Sequence, residues 1–247
     1  MEHDPKSCTC PCHVQCTHHS SNASSRQQTP EAPCTQAMVL IRFAEHKIQR
    51  YLNAITSVKS IMKVYGGKSF GVVDHLKRCD STGWIDGYLI GISVFGDVRG
   101  AKDWYRSDVF CNQHDWLDDT DIIVVQLRQP VVEYPDKRSV FMMGNYIIKD
   151  EICFQSEFMD KVNPIFKGSG GNVLADTTPE RLHGNWKAGR FYLVQFPNEA
   201  SLHQLENNDE VMAADEVLKK TSCACTVILM TDTNMPGTPS HRKPSYL

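Results

Sequence analysis

The chain has 247 residues, 41% of them hydrophobic, and a formal net charge of −3 with a pI near 6.4. That length holds one large domain or two of ordinary size, and the hydrophobic share is that of a globular protein. The charge lacks the basic footprint that nucleic-acid binding needs. The longest apolar stretches, such as Tyr88–Phe95, are about 8 residues. A helical membrane span needs about 20, so none is expected. The N-terminus, Met1-Glu2-His3-Asp4-Pro5, has neither the basic nor the apolar region of a signal peptide, so a cytoplasmic protein is expected.

Residues 1–36 read as a disordered tail rich in Pro, Ser, Thr, Gln and His, with no apolar periodicity. Five of the ten cysteines lie in it: Cys8, Cys10, Cys12, Cys16 and Cys34. Cys8, Cys10, Cys12, His13 and Cys16 are soft ligands at close spacing, suited to zinc or copper(I). The spacing is not that of a zinc finger. An oxidisable tail, a metal site and a site of S-acylation all fit it. No other cofactor is expected.

From Ala37 the pattern becomes regular. Met38–Phe43 reads as a strand. Over 45–65, Ile48, Tyr51, Leu52, Ile55, Val58, Ile61, Met62 and Tyr65 recur at helical spacing, and Gly66-Gly67 ends the helix. Lys68–Val73 is a second strand, and Asp74 to Gly83 a polar loop. Gly87–Phe95 is a third strand. Asp97 caps a helix over Val98–Ser107, and Asp121–Leu127 is a fourth strand. Strand, helix, strand, strand, helix, strand is the ferredoxin-like order.

Arg128 to Ser139 is a connector kept extended by Pro130 and Pro135. The pattern then returns over 140–231. Phe141–Ile148 is a strand, and Asp150–Lys167 a helix that Pro164 can kink. Gly170–Ala175 is a strand and Asp176 to Trp186 a loop. Arg190–Phe196 is a strand capped by Asn198. Glu199–Lys220 is a helix broken near Asn207-Asn208, and Cys225–Met230 the last strand. The tail from Thr231 is polar and expected to be flexible. Gly66-Gly67, Trp84 and Phe95-Gly96-Asp97 have counterparts in Gly170-Gly171, Trp186 and Phe196-Pro197-Asn198, about 101 to 104 residues later. The expectation is a tandem duplication.

These repeats resemble the DUF1330 family, small proteins of the dimeric α/β-barrel superfamily. The Gly-Gly pairs, the Trp before the third strand, the Phe-Pro-Asn turn and Ala101-Lys-Asp-Trp104-Tyr105-Arg-Ser107 carry the resemblance. The first repeat has Gly96 in place of the turn proline, and His183-Gly184 stands where the family usually has Glu-Gly. Family members pair sheet face to sheet face. The resemblance therefore implies an α+β fold of two ferredoxin-like βαββαβ repeats, packed as an intramolecular pseudo-dimeric α/β barrel in a monomer. It also implies a ligand held between sheet and helices or within the barrel.

The residues offer one polar constellation, at His183, Asn185, Trp186, Arg190 and Tyr192. Arg190 and Tyr192 are two apart on a strand and share a face. A near-neutral histidine can accept a proton and an arginine can hold an anion, so His183, Arg190 and Tyr192 are the catalytic candidates. Asn185, Trp186, Trp84 and Tyr88 are candidates for ligand binding. The same pattern fits a solvated loop under a Trp lid. The C-terminal Ser245-Tyr246-Leu247 fits the carboxylate groove of a PDZ-type partner. Two functions are open: a small-molecule-binding barrel, with or without cofactor-free catalysis, and a non-catalytic scaffold for a metal-binding tail.

Overall fold

A computed structural model describes residues 34–81, 87–112, 117–133, 140–187, 189–206 and 208–234. These fall within one compact unit, Pro33–Leu247. The fold is mixed α+β with antiparallel strands. Its first half runs β1 (Ala37–Ala44), α1 (Ile48–Ser57), α2 (Lys59–Val64), β2 (Gly67–Ser81), β3 (Tyr88–Phe95), α3 (Val98–Arg106), α4 (Asp108–Cys111) and β4 (Asp121–Gln126). The second half runs β5 (Val140–Ile148), α5 (Glu151–Cys153), a π-helical segment (Phe154–Met159), α6 (Asp160–Gly168), β6 (Asn172–Thr177) and β7 (Glu180–His183). It continues through β8 (Arg190–Phe196), α7 (Glu199–Glu206), α8 (Asp209–Thr221) and β9 (Ser222–Asn234).

Local chemistry accounts for the element ends. Asp97 accepts a hydrogen bond from the Gly100 amide at 2.6 Å and starts α3. Asp150 accepts from the Cys153 amide at 3.0 Å and starts α5. Asn208 breaks the last helix as expected, because its side chain caps α8 through Glu210 and Val211. The 45–65 helix differs from expectation in being two helices that meet at Val58.

The strands form one hydrogen-bonded order, β6-β8-β5-β9-β2-β3-β1-β4-β7. Within it, each half places its own strands in the same sequence: β4-β1-β3-β2 and β9-β5-β8-β6. Two stretches expected as loops are strand. β2 continues to Ser81, where it pairs with β9, and β7 pairs with β4 with Ile122 opposite His183. Both gain their ladders from distant parts of the chain. The order does not close on itself into a barrel. Its two ends, β6 and β7, are joined by Thr178 and Pro179, and a proline has no N–H to continue a ladder.

Three apolar layers explain why the strands read as continuous apolar runs rather than alternating ones. Val39, Ile41 and Phe43 of β1 face α1–α4, with Tyr51, Met62 and Trp104. Met38 and Leu40 of the same strand face a central layer that takes residues from both halves, among them Ile92, Val125, Phe141, Phe191 and Leu193. Val140, Tyr146, Tyr192 and Phe196 face the second half's helices, against Phe154, Phe158 and Leu218. Each such side chain contributes about 1.5–3 kcal/mol on burial. Gly91 is required beneath Tyr51, whose phenol ring occupies the space a Cβ would take.

Candidate functional site

An open cleft of about 520 Å³ lies where the ends of β5 and β6 meet the start of β8. Arg128, Ile147, Ile148, Glu151, Asp176 and Arg190 are among its walls. Arg190 is held there by a network. Its Nε and Nη2 donate to the two carboxylate oxygens of Asp176 at 2.7 and 3.0 Å. Nη1 donates to Glu151 at 2.7 Å and Nη2 to the side-chain carbonyl of Gln155 at 2.8 Å. The guanidinium also lies over the Phe154 ring, 5.2 Å from its centre. The hydrogen bonds to Asp176 raise the Arg190 pKa above its ordinary value, so it stays a cation.

The π-helical segment is what brings these partners together. Its wider turn carries both Phe154 and Gln155, the ring under Arg190 and the amide on it. Such segments occur often at functional sites. Arg128 follows β4 and crosses to the second half. It donates from Nη2 to the Asp176 carbonyl at 2.7 Å, and Nη1 lies 3.4 Å from an Asp176 carboxylate oxygen.

The expected constellation divides among three places. Arg190 and Tyr192 do share a face, toward the second half's helices. Tyr192 is buried behind the cleft, its hydroxyl donating to Asn163, and burial raises its pKa. His183 points instead toward the first half. Its Nδ1 is 3.3 Å from the Tyr105 hydroxyl, and the neighbouring Lys102–Glu180 pair at 2.6 Å ties α3 to β7 at the same edge. Burial, with the nearby Cys111 thiol, raises the Tyr105 pKa.

Trp186 enters the central layer and Tyr88 packs at its edge. Arg42 lies between them, 4.9 Å from the Trp186 ring centre and 5.6 Å from that of Tyr88. Arg42 pairs with Asp121 through Nε and Nη2 at 2.9 and 2.6 Å. The other Asp121 oxygen accepts from the Asn185 amide at 2.5 Å, while the Asn185 side chain is exposed. Gly184 has φ +74°, and a Cβ there would meet Asp121. The Trp186 and Asn185 group thus locks the two halves together and does not reach the cleft.

Trp84, the ligand set Cys8, Cys10, Cys12, His13 and Cys16, and the C-terminal Ser245-Tyr246-Leu247 lie outside the described residues. Among the described residues, no three His, Cys, Asp or Glu side chains gather as a metal site. No helix among them is long and apolar enough to cross a membrane. Sequence reasoning missed Arg128, Glu151, Gln155 and Asp176. Asp176, a carboxylate closing the apolar run of the edge strand β6, was the one local signal.

The molecule is therefore an α+β protein with antiparallel strands, helices over its outer faces and a polar cleft in its second half. That half, residues 139–232, matches the DUF1330 family, described as "Domain of unknown function (DUF1330)", as the resemblance implied. No curated protein sequence matches the chain. Among solved structures, a Lactobacillus acidophilus NCFM protein provisionally assigned as a monooxygenase is 12% identical, over 80% of this chain and 93% of its own, with a TM-score of 0.49. An anthrone oxidase-like protein is 10% identical over 83% and 94%, with a TM-score of 0.45. A mutant chlorite dismutase from Candidatus Nitrospira defluvii is 8% identical over 84% and 95%, with a TM-score of 0.43.

Proposed function

We propose that the protein is a small-molecule-binding α+β protein whose ligand enters the cleft beside Arg190. In this reading the chain is two tandem ferredoxin-like units, residues 37–127 and 140–231, packed sheet to sheet as an internal pseudo-dimer. The matching strand orders of the two halves and the central layer drawn from both support it. The observation that carries the functional reading is the cleft itself. A volume of about 520 Å³ lies in the range of small-molecule sites. Its half-buried Arg190 is pre-positioned by four hydrogen bonds, so a ligand meets a wall that is already ordered.

Arg190 is the residue that shapes the site, and Tyr192 supports it from behind. His183, which faces Tyr105 of α3, is not among the residues lining the cleft. Any catalysis in the cleft would have to use groups that line it.

Thermal denaturation of the full chain across a metabolite library tests the reading. Thr178 lines the cleft and is exposed, so Thr178→Trp fills the space without entering the core. Compounds that raise the melting temperature of the wild type should leave this variant unmoved, because only a ligand bound to the native state stabilises it. Equal shifts in both proteins would place the ligand elsewhere.

A further inference from the structure

We infer that the cleft takes an organic carboxylate with an apolar body, its carboxylate on Arg128 and its body along Ile147 and Ile148. This rests on the cleft reading above and assigns it a ligand class.

Four charged side chains line the cleft: Arg128, Arg190, Asp176 and Glu151. Arg190 engages both oxygens of Asp176 and one of Glu151, and the Asp176 carboxylate also lies 3.4 Å from Arg128. A cationic ligand would have to compete with a guanidinium that is already in place. Arg128 is different. Its side chain is 61% exposed, against 19% for Arg190. It donates one hydrogen bond to a backbone carbonyl, and its approach to the Asp176 carboxylate is the longer one at 3.4 Å. Among the described residues its Nε makes no hydrogen bond. Arg128 is thus the charge in the cleft with donors to spare, in a planar fork suited to a carboxylate.

The remaining lining agrees. Thr177 and Thr178 supply hydroxyls beside Asp176. Ile147 is 39% exposed, and with Ile148 it gives an apolar wall at the end of β5. Asp176 fixes the Arg128 guanidinium by its backbone carbonyl, while its carboxylate, 3.4 Å away and already bound by Arg190, offsets the Arg128 charge only in part.

Isothermal titration of the full-length protein with benzoate, phenylacetate and 3-phenylpropionate, beside their neutral amides, tests the inference. At least one acid should bind, and more than about tenfold more tightly than its amide, the range of a charge-assisted hydrogen bond. Arg128→Gln should weaken that acid by a similar factor, and Glu151→Gln, which removes a negative neighbour, should strengthen it. Amides binding as tightly as acids, an unchanged Arg128→Gln, or no binding by any acid would overturn the ligand class. Thr178→Trp separates the two levels. If it abolishes binding of amides and acids alike while Arg128→Gln does nothing, the cleft stands and the carboxylate falls. If it changes nothing for a compound that binds, both fall.

Discussion

Arg190 uses four directed hydrogen bonds, and lysine has no planar fork to replace them. Arg190→Lys should cost about 2 kcal/mol in urea unfolding, from hydrogen bonds to charged groups. Asp121 is a partner of a different kind. Its ion pair with Arg42 is nearly buried, with side chains 11% and 10% exposed. Asp121→Asn removes the carboxylate from this nearly buried pair and should cost about 3 kcal/mol in the same measurement. Two tyrosines give a pH dependence. Burial raises Tyr51 and Tyr192 above the ordinary 10.0, so folding favours their neutral forms. Their contribution is complete below pH 10 and is lost above it, where the unfolded chain ionises and the folded chain does not. Urea midpoints should fall between pH 9 and pH 11, and Tyr51→Phe with Tyr192→Phe should flatten the fall.

At the scale of elements, much of the fold was legible. β1, β3 and the helix capped by Asp97 follow from apolar runs and one capping residue, all local signals. The end of β2 and all of β7 were not, because their ladders come from β9 and β4, far along the chain. The site divides the same way. That Arg190 and Tyr192 share a face follows from strand period. That Gln155 and Glu151 meet Arg190 depends on a π-helical turn, and the spacing of Phe154 and Phe158 does not distinguish it from an α-helix. His183 and Trp186, three residues apart, diverge because Gly184 turns the backbone between them. β7 is held chiefly by its apolar residue: Leu182 packs against the first half's helices, whereas Lys102–Glu180 is partly exposed. Leu182→Ala should cost about 1–2 kcal/mol and Lys102→Ala less than about 1, read by chemical denaturation.

The whole molecule depends on the layer between its halves. Met38, Ile92, Val125, Phe141 and Phe191 are each fully or nearly fully buried there. A fragment of residues 34–133 would expose its half of that layer and should be insoluble or self-associate in light scattering; a soluble monomer would contradict the packing described. The functional claim stands on the cleft in the second half. Native mass spectrometry of the full-length protein, after exposure to the metabolite library, is the decisive experiment, with Thr178→Trp alongside. The wild type should carry a small-molecule adduct that is absent from the variant. A bare chain in both, or an adduct that persists unchanged in Thr178→Trp, would contradict it.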